Sequence, residues 1–282
     1  MIIGHKKQQQ FLKKIIESTE IPHALLFTGS EKLGKKKIAF EFVSSIFKDN
    51  ILNHPDFTFV SPETKQIQIK QIRDICWRLS LKPIKAPVSA VIVDQAHLMT
   101  REAQNCFLKT LEEPKSRSLL ILITEHLRLL LPTIISRCQI VKFYQVENQE
   151  IKKYLKTKKI QEEQAENLVS ISLGRPGMAI EYLDNLEVLG KREEIIKRLT
   201  KIIKSPIAVR FNYAKELAEN GDFKETLSIW LSYFRKNLLS CSDKFSMTKI
   251  KNTLNFIEKT MFFLSTTNIN PRLALEVLMM EI

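Results

Sequence analysis

The segment Gly29-Ser30-Glu31-Lys32-Leu33-Gly34-Lys35-Lys36 confines this chain more tightly than any other stretch of it. A glycine loop of this spacing works where a buried strand ends and a helix begins, because its backbone N–H groups must point together at an anion. The flanks agree with that context. Leu25-Leu26-Phe27 is an apolar run that stops just short of Gly29, and Ile38, Phe42, Val43 and Ile46 follow at helical spacing after Lys36. A chance pair of glycines in a turn would lack both flanks.

The loop fits G-x-x-x-x-G-K-[ST] up to its last position. In the intact pattern the amides cradle phosphates, the lysine neutralises the outer ones and the final hydroxyl ligates Mg²⁺. Here Lys36 occupies the hydroxyl's place. An ammonium has three donors and no lone pair for a metal, so this position repels Mg²⁺. A second signature, Val91-Ile92-Val93-Asp94-Gln95-Ala96-His97, delivers an aspartate at the end of an apolar strand. ATPases place a carboxylate after that aspartate to activate water. Gln95 stands there instead, and a neutral amide orients water without accepting its proton. Gly29, Gly34, Lys35 and Asp94 are therefore the candidate residues of a vestigial nucleotide site, with hydrolysis not expected and no metal ligand among them.

Strands are predicted at Leu25 to Thr28, Phe57 to Val60, Ala90 to Asp94, Leu119 to Thr124 and Gln139 to Phe143. The third and fourth are unbroken apolar runs, as strands covered on both faces require. Their alternation with helical patterns predicts a parallel α/β sheet. From about Glu147 only helical patterns remain, interrupted at Gly174-Arg175-Pro176-Gly177. Beyond Pro206, Leu227, Trp230, Leu231, Phe234 and Leu238 share one helical face, and Ile250, Leu254, Ile257, Met261 and Leu264 share another. Such stripes build either an internal bundle or a face for a partner helix.

With 282 residues the chain has room for two or three domains. No apolar run approaches the roughly 18 residues that span a bilayer, and the start is polar, so a cytoplasmic protein with no membrane partner is expected. Cys76, Cys106, Cys138 and Cys241 form no C-x-x-C pair, which predicts reduced thiols. The formal charge of +13 points to a polyanion such as DNA. Lysines at Lys35-Lys36-Lys37 and from Lys152 to Lys159 lack the interleaved aromatics of single-strand binders, so a solvated composition bias explains them equally well.

The run from Leu108 to Pro114, Leu-Lys-Thr-Leu-Glu-Glu-Pro, reads as a helix stopped by proline with Ala103, Phe107 and Leu111 on its buried side. Glu112 and Glu113 are consecutive and do not face one another, so they make a poor catalytic pair. Ser136-Arg137-Cys138 precedes the last strand. A guanidinium stays charged and matches phosphate oxygens with its planar fork, so Arg137 is either an ordinary surface arginine or a group offered to a neighbour's nucleotide.

Taken with Pro22-His23-Ala24-Leu25-Leu26-Phe27, His54-Pro55-Asp56 and Asn270-Pro271-Arg272-Leu273-Ala274-Leu275-Glu276, these motifs resemble the bacterial clamp-loader subunits of the AAA+ group, in particular the DNA polymerase III delta-prime family. The resemblance spans the whole chain. It implies an AAA+ α/β domain over residues 1–146, an all-α lid over 147–205 and an all-α C-terminal collar over 206–282. It also implies that Arg137 acts in trans on ATP held by a neighbouring motor subunit. The expected partners are the motor subunits and delta, with the sliding clamp and primed DNA in the assembly. No cofactor of its own is expected.

Three departures stand out. The zinc module of many relatives would fall between Phe47 and His54, where this chain has no cysteine, so no zinc is expected. Where ATPase members carry a nucleotide-sensing lid arginine, this chain matches Gly177, with Arg175 out of register. Thr124 matches the polar sensor position. Rival readings are an active AAA+ ATPase, such as a motor subunit or branch-migration helicase, and a DNA scaffold driven by charge.

Overall fold

Five apolar runs with residues buried on alternate sides can hide their backbone polar groups only by pairing with one another. In the computed structural model, which describes residues 2–18, 20–63, 65–114, 117–158, 160–240, 243–267 and 269–282, they do so in parallel. The order along the chain is α1 (Lys6–Ser18), β1 (Ala24–Thr28), α2 (Lys35–Phe47), β2 (Phe57–Val60), α3 (Ile69–Ser80) and β3 (Ser89–Val93). Then come α4 (Arg101–Glu112), β4 (Ser118–Thr124), α5 (Pro132–Ile135), β5 (Gln139–Lys142) and α6 (Asn148–Thr157). The sheet runs β2-β3-β4-β1-β5, with Thr28 opposite both Thr124 and Lys142. β1 therefore lies inside the sheet, and the loop after it opens where connections leave to either side, the usual place for a ligand in such sheets.

Period-two alternation divides the apolar side chains between two cores. Leu25, Phe27, Ala90, Ile92, Leu119 and Ile121 pack with α1 and α2 on one face. Leu26, Val91, Val93, Leu120 and Leu122 pack with α3, α4 and α5 on the other. The five predicted strands match within a residue at each end. An amphipathic α1, carrying buried Leu12 and Ile15, is the element the strand-by-strand reading did not single out.

Two compact units divide the chain, Met1–Lys158 with Gly174–Gly177, and Lys159–Leu173 with Met178–Ile282. The second is helical: α7 (Glu162–Ser172), α8 (Pro176–Asp184), α9 (Leu186–Ile202), α10 (Ile207–Asn220), α11 (Phe223–Ser240), α12 (Lys244–Thr266) and α13 (Pro271–Glu281). Proline 176 opens α8 at a position where its missing N–H costs nothing, and the chain reverses just before it, at Leu173 (φ 49°) and Gly174 (φ 73°). Both stripes predicted beyond Pro206 turn inward. Leu227, Trp230, Phe234, Leu254 and Ile257 are buried, and Leu231, Leu238, Ile250, Met261 and Leu264 pack against them. Leu199 and Ile202 of α9 join the same core. Cys76, Cys106 and Cys138 are free thiols, Cys138 with its pKa pushed to about 12 by burial; Cys241 and Lys159 lie outside the described residues.

Candidate nucleotide site and arginine

β1 delivers the glycine loop to the carboxyl end of the sheet's inner strands. Gly29 donates its N–H to the Thr124 carbonyl at 3.3 Å and takes φ 148°, a backbone region closed to side-chain-bearing residues. A Cβ there would also run into the Phe143 carbonyl. Gly34 starts α2 in the left-handed region at φ 92°. Across the loop, the Gly177 N–H donates to the Lys32 carbonyl at 2.8 Å, so the turn over 174–177 clips onto the loop backbone.

The loop lysine is engaged from within. Lys35 is buried, and its ammonium donates to the carbonyls of Gly29 and Ser30, both at 2.6 Å. Burial lowers its pKa, against the opposing pull of Glu125, Glu31 and Asp94. Beside it, Lys36 Nζ stands 3.6 Å from Asp94 Oδ2 and 4.3 Å from the centre of the Phe59 ring. The two residues that diverge from and retain the ATPase pattern thus meet. The Lys36 ammonium faces the Asp94 carboxylate as an ion pair. Asp94 also accepts from the Gln95 N–H at 3.0 Å, and Gln95 is exposed in a left-handed turn at φ 50°.

Thr124, at the end of β4, is only 1% exposed. Its hydroxyl oxygen accepts from the His126 N–H at 3.1 Å and lies 3.3 Å from His97 Nδ1. Burial drives the His97 pKa down to about 4, so this ring is neutral at ordinary pH. A hydrogen bond with Glu125 raises that of His126. For Glu125, burial pushes upward, but His126, His97 and Lys35 outweigh it and hold the carboxyl below its ordinary value.

Arg137 sits apart from these groups, at the end of α5. Its Nη2 is 2.8 Å from Glu112 Oε1, and its Nη1 donates to the Thr133 carbonyl at 2.9 Å. The side chain is 35% exposed. Glu112 is thus a partner for the arginine, a pairing that sequence position alone does not reveal. Gly29, Gly34, Lys35 and Asp94 come together at the carboxyl ends of β1 and β3, and none of the arginine's partners among the described residues belongs to that loop.

What aims the arginine's helix is Gln104, 5% exposed on α4. Its Nε2 donates to the carbonyls of Met99 and Leu129, both at 3.2 Å, and its Oε1 accepts from the Leu131 N–H at 2.8 Å, immediately before α5. A glutamine inside the apolar stripe of Ala103, Phe107 and Leu111 was the available signal. Gln104→Ala strands those backbone groups, and chemical denaturation is expected to show a loss of about 2 kcal/mol. A loss below a few tenths would remove Gln104 from this bracing role.

A family described as DNA polymerase III, delta subunit, matches residues 4–147, and one described as cyanobacterial DNA polymerase III delta prime, C-terminal domain, matches residues 148–282. The chain is 29% identical over 204 residues to DNA polymerase III subunit delta' of Bacillus subtilis, covering 67% of this chain and 62% of that one. It is 35% identical over 134 residues to the subunit delta' of Haemophilus influenzae, covering 46% and 41%. It thus spans less than two thirds of either relative. A DNA polymerase III gamma subunit-related protein of Thermotoga maritima shares the fold, with a TM-score of 0.51 at 20% identity over 97% of each chain.

Proposed function

Since this chain belongs to the DNA polymerase III delta-subunit family, with a delta-prime C-terminal domain, we propose that it is a clamp-loader subunit that does not hydrolyse ATP itself. It braces an assembly of motor subunits and delta, and offers Arg137 to ATP held by a neighbour while that assembly seats a sliding clamp on primed DNA. One observation carries the reading: the 3.6 Å pairing of Lys36 with Asp94, which sets a side-chain cation beside the carboxylate where catalysis needs an exchangeable Mg²⁺. The loop retains Gly29, Gly34 and Lys35 and can hold nucleotide without cutting it; no cofactor is required.

Assembly is supported by the helices after Pro206, the proposed collar, which follow a proposed lid over 147–205. They bury one core yet leave Phe245 (82% exposed), Leu273 (58%), Val277 (58%) and Met280 (62%) open to a neighbour. No helix among the described residues is long and apolar enough to cross a membrane, and we place the protein in the cytoplasm.

The deciding assay is phosphate release by the purified chain with ATP and Mg²⁺. Turnover is expected to match that of Lys35→Ala. Turnover that Lys35→Ala abolishes would instead identify an active AAA+ ATPase. A companion variant, Lys36→Thr, restores the hydroxyl and frees Asp94. It is expected to tighten Mg²⁺-dependent nucleotide binding by about tenfold, the worth of roughly 1.4 kcal/mol, yet to leave turnover absent because Gln95 cannot accept a proton. Equilibrium binding with and without Mg²⁺ reads the first effect, and phosphate release reads the second.

A further inference from the structure

Three side chains that the proposed function does not use converge beyond the ends of β3 and β4. His97 lies in the short helical turn over Ala96–Leu98, and Glu125 and His126 directly follow Thr124. The Nε2 atoms of His97 and His126 stand 3.7 and 3.4 Å from the same Glu125 oxygen, Oε1. The two rings are 5.0 Å apart and nearly perpendicular at 87°. One donor atom from each of the three residues lies within 4.8 Å of the other two.

The surroundings hold two of these groups in place. Thr124 meets His97 Nδ1 at 3.3 Å; with the proton on Nδ1 donated to that hydroxyl oxygen, the lone pair of Nε2 is left for the side of the ring toward Glu125. The same hydroxyl pins the His126 backbone through its N–H. Two imidazoles and one carboxylate are the donor set of three-ligand sites for borderline divalent ions, with bonds of about 2.0–2.2 Å. Donor atoms around such an ion stand about 3.3–3.6 Å apart by tetrahedral geometry, close to both distances to Oε1. The remaining edge, between the two imidazoles, closes by rotation of His126, whose side chain is 43% exposed.

We propose that His97, Glu125 and His126 bind a divalent transition-metal ion of the zinc class, with a fourth position left for water. This site is independent of the cysteine module whose absence argued against zinc, because its donors come from two loops far apart in sequence. It is also distinct from the Mg²⁺ position, since Asp94 and Lys36 take no part. The Lys35 charge acts on both His97 and Glu125 and opposes a second cation, so micromolar binding is expected in place of the far tighter binding of closed structural sites.

The test uses the full chain, stripped of metal with a chelator and titrated with Zn²⁺ by calorimetry, with Co²⁺ as a spectroscopic substitute. One Zn²⁺ per chain is expected to bind and to raise the melting temperature. Glu125→Gln and His126→Ala should each weaken binding by about tenfold or more. His126, 43% exposed, should leave unliganded melting unchanged when replaced, and the metal-free melting curve of Glu125→Gln separates lost ligation from the loss of its contacts with the two rings. His97→Ala should do the same, and its own melting curve separates lost ligation from lost packing at this buried ring. Binding that is absent at millimolar Zn²⁺, or unchanged in Glu125→Gln and His126→Ala, overturns the assignment. A Co²⁺ spectrum with thiolate charge-transfer absorption does so too, by placing the ion on cysteine.

Discussion

Arg137→Ala is expected to lower ATP turnover at the neighbouring site it is proposed to complete by about 10³-fold or more in a reconstituted loader, while the chain still folds and assembles. The arginine lies at the surface, where Glu112, Thr133 and Ser136 are its partners among the described residues. An exposed pair of this kind contributes only about 0.2–1 kcal/mol to folding, so its loss should scarcely move the melting temperature. For the same reason the guanidinium can leave Glu112 at little cost when a phosphate oxygen is offered. Arg137→Lys keeps the charge but loses the planar fork, and turnover in that variant should stay well below that of the unaltered chain. The measurement is DNA-stimulated phosphate release by the whole assembly, with size-exclusion chromatography to confirm that the ring is intact. Unchanged turnover in an intact ring would strip Arg137 of the role.

The largest stability effect is expected at Asp56, the last residue of His54-Pro55-Asp56. This buried carboxylate accepts from the backbone N–H groups of Ile84, Lys85 and Ala86 at 2.7, 2.7 and 2.8 Å, fastening the segment between α3 and β3. Burial alone would raise its pKa, but these three hydrogen bonds, aided by His54, hold it below the ordinary carboxylate value. Hydrogen bonds to a charged acceptor are worth about 1.5–3 kcal/mol each. Water can reach the exposed end of the segment in the mutant, so Asp56→Ala is expected to cost about 3 kcal/mol by urea denaturation at neutral pH. Because the folded pKa is depressed, this contribution is complete above the unfolded value near 3.9 and disappears as pH falls through the folded one. The mutant and the unaltered protein should therefore converge in strong acid. A gap that persists there would show that packing, not the carboxylate, is responsible.

Much of the first unit is legible residue by residue. Leu25 to Phe27, Val91 to Val93 and Leu119 to Ile123 are apolar without alternation, and strands covered on both faces are what they form. The helix carrying Ala103, Phe107 and Leu111 ends ahead of Pro114, since proline cannot continue it. Both helical stripes beyond Pro206 point into a core, as amphipathic spacing requires. Other features are silent in the sequence. Gln104 interrupts an apolar stripe, but which groups it braces shows only when Leu129 and Leu131 return beside it. Glu112 and Arg137 become a pair only when α5 ends beside α4. His97 and His126 have no common spacing, and adjacent parallel strands bring them together.

The reach of local pattern explains the division. Helical and strand periodicity, a glycine where the backbone turns left-handed and a proline where a helix must stop are properties of neighbouring residues. They sufficed for the five strands and their parallel sheet, for the helical stripes beyond Pro206 and for the substitution of an ammonium at Lys36, though not for α1. Whether that ammonium touches Asp94, which groups satisfy Lys35 and where Arg137 rests depend on which strand ends lie side by side. Electrostatic and hydrogen-bonding partners act over a few ångströms in space, a distance that separation along the chain does not encode, so only the packed sheet and its helices could decide them.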